Sequence, residues 1–253
     1  MRTLVLEIEY DGTDYCGWQR QNDQISIQET IENSISRISG KYNAVVAAGR
    51  TDAGVHARAM IAHCKIDEDF SVPVEKIPIA INSGLNKDIR IIKANILNHA
   101  FHARFDAIAR EYSYNICFSE SVFMRRFSWL IRSVPDVEKL VASANIFIGQ
   151  FDFTSYSKNN PEVTNLICNI TKSHWQPLSE NRWEYRIKAD RFVYSMVRSI
   201  VGSMIDFSLK DYEIEILKNR LYSLSRVQSP AIAPANGLFF ETAFYPDNIK
   251  LFN

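Results

Sequence analysis

No apolar run in these 253 residues approaches the roughly 20 positions that a helix needs to cross a bilayer, so a membrane protein is not expected. A surplus of one charge is missing too. The 29 basic and 29 acidic residues cancel, and without an overall field any site for a polyanion has to be local. Cys16, Cys64, Cys117 and Cys168 stand singly, without C-x-x-C spacing, and the N-terminal MRTLVLEIEYDG has no charged-then-apolar signal pattern. Both absences lead to an expectation of reduced thiols in a cytoplasmic protein. Low-complexity tracts are also lacking. At 46% hydrophobic, the chain reads as globular, with one large domain or two small ones around a substantial core.

Periodicity then orders the first half. LVLEIEYD alternates as a strand, and SIQETIENSISRISG sets Ile27, Ile31, Ile35 and Ile38 at helical spacing, with Ser26 and Glu29 as a capping box and Gly40 as the stop. NAVVAAG and AMIAHCKI are strand-like runs around a polar turn, VEKIPIAINSGL is a short helix with an awkward proline, and DIRIIKANIL is a further strand. This β-α-β-β-α-β order is the split ferredoxin-like motif. AIAREYSYNICF, DVEKLVASANIFIG, LICNITKSHW, RWEYRIKAD, FVYSMVRSIVGSMIDF, YEIEILKNRLYSL and LFFETAFY extend a similar alternation through the second half. The expected fold is α+β: two ferredoxin-like halves, residues 1–105 and 106–253, forming a mostly antiparallel sheet with helices on one face and a cleft on the other.

Two segments concentrate polar chemistry. EYDGTDYCGWQRQ follows the first strand; Asp11-Gly12 is an ordinary turn dipeptide, but Tyr15, Trp18, Gln19, Arg20 and Gln21 together suit splayed RNA, where bases stack and phosphates need donors. The second is VVAAGRTDAGVHARAM. Here Asp52 lies between Arg50 and a Gly54–His56 bend, and it reads either as a turn cap bonded to its own backbone or as an ionised carboxylate able to act as a nucleophile. On its own the turn cap is the commoner use of such an aspartate; the second reading needs a carboxylate ionised at neutral pH, and a neighbouring cation lowers a carboxylate pKa by about 1–3 units.

YDGTDYCGWQRQ and AAGRTDAGVHARA resemble the two signature segments of the TruA family of tRNA pseudouridine synthases. FHARFDAIAREYSY, DRFVYSMVRSIVG and APANGLFF are similar to later blocks of that family in the same order, so the likeness spans residues 10 to about 245. The resemblance implies an isomerase that converts uridine to pseudouridine in the anticodon arm of tRNA, at positions 38, 39 and 40, by base flipping. It implies Asp52 as the nucleophile, no metal and no organic cofactor, and a homodimer whose subunits both touch one tRNA. Arg50 would fill the space left by the flipped base; its plain alternative is an ion pair with Asp52.

Tyr112 matches the family's active-site tyrosine, which stacks on the target ring, whereas Tyr114 on the same strand face reads as core. Arg198 interrupts an apolar helix, so it needs a partner, expected to be Asp52. Leu238 resembles the apolar contact under the flipped base and reads equally as one more core residue. Phe101, His102, Ala103, Arg104 and Phe105 match a family segment along bound RNA; a solvated connector explains them about as well. Arg58, His63, Arg125 and Arg126 are candidate phosphate contacts, and the turn-rich loop Ser155 to Asn165 is a further RNA candidate.

The chain departs from the family pattern at Phe151, where a histidine is common, at Asn86, where proline is, and around Cys168, where an arginine is often found. EYDGT also resembles the start of haloacid-dehalogenase-type phosphatases, but Glu9 stands at the nucleophile's position and none of the nine glycines precedes an aspartate. A non-catalytic RNA-binding protein of the same fold is the stronger alternative; joint use of Asp52, Tyr112 and Arg198 separates the two. His99 and His102 have ligand-like spacing without a cysteine or carboxylate set around them.

Overall fold

The computed structural model describes residues 2–158, 163–225 and 231–252. The chain divides into two compact units, Met1–Ile108 with Phe239–Asn253, and Ala109–Leu238. In the first, β1 (Arg2–Tyr10), α1 (Ile27–Ser39), β2 (Val46–Ala47), β3 (His56–Ile66), α2 (Ile77–Asn82) and β4 (Ile89–Leu97) follow the β-α-β-β-α-β order. β1 lies antiparallel between β3 and β4, and β2 pairs with the far part of β3. Leu4, Leu6 and Ile8 of β1 join Ile27, Ile31 and Ile35 of α1 and Ile77 and Ile81 of α2 in a core without solvent exposure. Burial of each such side chain contributes about 1.5–3 kcal/mol.

Local chemistry sets the helix ends. Ser26 Oγ accepts from Glu29 N at 3.2 Å, while the Glu29 carboxylate pairs with Arg20 at 3.1 Å. Gly40, at φ 73°, closes α1 through its N–H to Ser36 C=O, a left-handed stop that favours glycine. Pro78 is not disruptive: it lies in the first turn of α2, where its missing N–H has no helical partner to lose.

The second unit contains β5 (Ala109–Cys117), β6 (Trp129–Leu130), α3 (Val137–Ala144), β7 (Gly149–Asp152), β8 (Ile167–Ser179), β9 (Arg182–Ala189), α4 (Met196–Leu209) and α5 (Glu215–Tyr222). Its sheet runs β5-β9-β8-β7 with antiparallel neighbours, and β6 adds in parallel to β5. α4 starts four residues later than its apolar run, because Ser195 adopts φ 60° just before it. The last strand, β10 (Leu238–Phe244), returns to the first unit, where Phe239 and Phe240 pair in parallel with His56 and Ala57 of β3. The compact units therefore differ from a division at 105/106: the C-terminal residues join the N-terminal ones through a strand pairing that spans most of the chain.

Candidate functional site

The polar turn before β3 is built against the segment after β1, largely through main chain. Gly17 and Asp52 form an antiparallel bridge, Trp18 N donates to Thr51 O at 3.0 Å, and Val55 N donates to Asp52 O at 3.1 Å. Tyr10 and Thr51 join their hydroxyls at 2.9 Å beneath. The approach is too close for side chains. A Cβ on Gly12 would sit 2.0 Å from Val55 O, and one on Gly17, already at φ 108°, would sit 2.6 Å from Thr51 O. Gly54, at φ 77°, makes the bend itself.

Polar side chains complete the clamp. Asp11 Oδ1 accepts from Thr13 N at 3.0 Å and from Thr13 Oγ1 at 2.5 Å, closing a local turn. His56, 1% exposed, accepts from Gly12 N through Nδ1 at 3.1 Å, lies 3.1 Å from Asp11 Oδ1, and stacks on Phe239. The result is a rigid cradle that leaves Asp52 half-buried and Arg50 exposed beside it. The main chain of Asp52 is thus fixed from both sides, by the bridge to Gly17 and by the Val55 N–H.

Tyr15 and Trp18, expected to be available to RNA, are instead buried. Tyr15 OH donates to Asp88 at 2.7 Å; burial, followed by that aspartate, pushes its pKa up to about 12. These rings brace the cradle from below, and Arg20 reaches back to Glu29 and Glu32 on α1.

In the second unit, Tyr112 lies on β5, buried, with its ring edge-on to Phe192 at 4.9 Å. Tyr114 is fully buried, and its hydroxyl donates to Pro234 O at 2.8 Å. Arg198, half-buried on α4, donates through Nε to Ala233 O at 2.7 Å, while its own C=O accepts from Ala233 N at 3.1 Å. Leu238 is buried where β10 begins, after a 3-10 turn at Ala235–Gly237. Gly237 leaves no room for a Cβ, which would sit 2.6 Å from the Tyr114 ring.

The 101–105 segment separates into inner and outer residues. Phe101 and Ala103 are buried, His102 is half-buried, and Arg104 and Phe105 point to solvent, Phe105 at 75% exposure. Arg58 is exposed, pairs with Glu241 at 3.2 Å and lies over the Phe239 ring. Arg125 is exposed and Arg126 half-buried. His63 is not a surface phosphate contact: it is buried, its Nδ1 accepts from Ala103 N, and burial pulls its pKa down to about 4, so the ring is neutral at neutral pH. Its place in the apolar run AMIAHCKI was the signal, since a polar residue there has to be satisfied internally. His56 carried no comparable signal. Of the loop Ser155 to Asn165, residues 159–162 lie outside the described residues.

Phe151 and Cys168 prove to be direct cross-strand partners on β7 and β8. An aromatic ring therefore stands opposite a thiol whose pKa burial pushes up to about 12. Among the described residues, no three histidine, cysteine, aspartate or glutamate side chains converge as a metal site requires, and no helix is long and apolar enough to cross a membrane.

Comparison with known proteins adds independent findings. A family model described as tRNA pseudouridine synthase matches residues 7–106 and 143–246. The chain is 34% identical over 247 residues to tRNA pseudouridine synthase A of Clostridium kluyveri, covering 97% of this chain and all of the relative. It is 35% identical over 252 residues to the protein of that name from Porphyromonas gingivalis, covering 99% of this chain and all of the relative. Against that of Bacteroides fragilis the identity is 36% over 249 residues, with 98% of each chain covered. A solved structure titled "Crystal Structure of a Cbf5-Nop10-Gar1 Complex" superposes at a TM-score of 0.39 and 9% identity over 96% of this chain and 60% of that one, too distant a likeness to carry an argument.

Proposed function

This chain belongs to the tRNA pseudouridine synthase family, and from that premise we propose that it isomerises uridine to pseudouridine in tRNA with Asp52 as the nucleophile. The observation that supports this most directly is the cradle: Gly12 and Gly17 bring two chain segments into backbone contact around one half-buried aspartate. In the reaction the N1–C1′ bond breaks and a C5–C1′ bond forms. The proton lost from C5 is matched by one gained at N1, so atoms and electrons balance without a redox partner. Asp52 forms a transient covalent bond to the uridine, at C6 of the base or C1′ of the ribose, and releases it when the C5–C1′ bond has formed, while the closed site holds the separated half until it rejoins.

Roles for the other residues follow from the family likeness. Arg50, exposed beside Asp52, fills the place of the flipped base, whose extrusion costs a few kcal/mol. Tyr112 stacks on the target ring, Leu238 supplies an apolar contact to it, and Arg198 is a further substrate-binding residue. Arg104, Phe105 and Arg58 present exposed cationic and aromatic groups to the RNA, with His102 beneath Phe105. Phe101 and Ala103 serve that surface from inside. The targets are uridines of the anticodon arm, the enzyme acts as a homodimer on one tRNA, and it works in the cytoplasm.

Asp52→Asn is the deciding variant, being nearly isosteric but unable to act as a carboxylate nucleophile. Turnover on tRNA should fall by orders of magnitude while tRNA affinity and thermal midpoint stay near wild type. A variant that still forms pseudouridine but melts early would make Asp52 a turn cap. Mapping pseudouridine in total RNA with and without the gene locates the substrate; loss of signal only outside the anticodon arm refutes that assignment.

A further inference from the structure

Buried under the 101–105 loop, His63 is tied to no step proposed above. We propose that it is a positioning residue, holding this loop in the one shape that offers Arg104 and Phe105 to RNA; the inference rests on the RNA-modifying function argued above.

Ala103 is gripped from both sides. Its N–H donates to His63 Nδ1 at 3.1 Å, and its C=O accepts from Tyr245 OH at 2.7 Å. His63 stands in the middle of β3, opposite Val5 of β1 and Val46 of β2, so the acceptor is carried on rigid strands rather than on another loop. The ring lies edge-on to Phe101 at 5.9 Å and 4.8 Å from the His102 ring.

From this pinned centre the outer residues are set in turn. His102 N donates to Asp106 Oδ2 at 2.8 Å, and His102 Nδ1 accepts from Arg104 N at 3.3 Å and Phe105 N at 3.2 Å. Phe105 stacks on His102 at 4.2 Å with the Arg104 guanidinium 5.8 Å from its ring. An aromatic face and a cation are therefore ordered before RNA arrives. Such preorganisation lowers the entropy cost of binding, and its loss raises KM rather than lowering the chemical rate.

A buried amide left without an acceptor bears the full cost of its desolvation, so the loop would abandon this shape if the acceptor were removed. Hence the test compares His63→Leu, which removes the acceptor, with His63→Asn, whose Oδ1 can take the place of Nδ1, in the full-length protein with transcribed tRNA. The leucine variant should show KM for tRNA raised by about tenfold with kcat within about twofold, and faster hydrogen exchange at the Ala103 amide. Asparagine should restore most of both. Tyr245→Phe, which loosens the other side of Ala103, should shift KM the same way.

Equal losses in the leucine and asparagine variants, or kcat falling along with a rising KM in both, overturn the proposal and leave His63 a packing residue. Should the wild-type protein modify no RNA, the isomerase reading fails by itself. Ala103 exchange still decides the His63 contact in that case: protection in the leucine variant equal to wild type overturns it.

Discussion

Gly17 shows at the scale of one residue how the cradle depends on an absent side chain. Its φ of 108° and the 2.6 Å approach of a built Cβ to Thr51 O mean that Gly17→Ala has to break the bridge to Asp52. We predict destabilisation of about 1–3 kcal/mol by chemical denaturation, with turnover reduced beyond what the unfolded fraction explains. An unchanged denaturation midpoint would remove Gly17 from the argument. His63 makes a prediction about pH. Burial and the nearby His102 lower its pKa to about 4, Lys65 adds to that, and Asp106 and a backbone hydrogen bond at Val46 oppose it. Between pH 4 and 6.5 the unfolded chain then binds more protons at this group than the folded one. Its contribution to stability is complete above pH 6.5 and shrinks as pH falls towards 4. The pH-dependent thermal midpoint of wild type, minus that of His63→Asn, should show this loss in that window; parallel curves contradict it.

Among the elements, α4 is held by contacts that depend on a glycine in its middle. A Cβ on Gly202 would lie 1.9 Å from Ala231 O, which is backbone and cannot swing away. The same approach lets Ala233 exchange hydrogen bonds with both the C=O and the guanidinium of Arg198 one turn earlier. Gly202→Ala is favoured by helix propensity, by about 1 kcal/mol. Here it should nonetheless lower stability, by about 1–3 kcal/mol, because the displaced segment loses both bonds. A rise in the denaturation midpoint would show that propensity outweighs the close approach.

Taken as a whole molecule, the protein has a formal net charge of zero yet is proposed to bind a polyanion. Its cations must then act locally, and exposed Arg50, Arg58, Arg104 and Arg125 are among the groups that could do so. tRNA affinity should fall linearly on a log–log plot against salt, with a slope that reports the phosphates neutralised. Arg104→Ala should reduce that slope by about one. A flat salt dependence would rule out phosphate contacts as the source of affinity. Light scattering in dilute solution tests the homodimer, and a fully active monomer would exclude it.

Amino-acid order alone was enough to establish α1 with both caps, the long strands and the β-α-β-β-α-β order. These depend on periodicity and end chemistry within a few residues, which local spacing records. It also marked Asp52 beside the Gly54–His56 bend, because a turn richer in polar groups than a turn needs is visible without coordinates, whereas the close approaches at Gly12 and Gly17 appeared only in the fold. Tertiary structure alone decided which side chains face inward. Tyr15, Trp18, Phe101 and Ala103 sit in motifs that suggest a ligand, yet they are buried, since burial depends on what a distant segment lays over them. The return of β10 to β3 and the pairing of Phe151 with Cys168 were likewise beyond local reading, as strand partners are chosen by long-range packing and register. His63 joins both levels. The sequence placed a polar residue in a buried strand, and only the fold brought Ala103, forty residues on, to within 3.1 Å of its nitrogen.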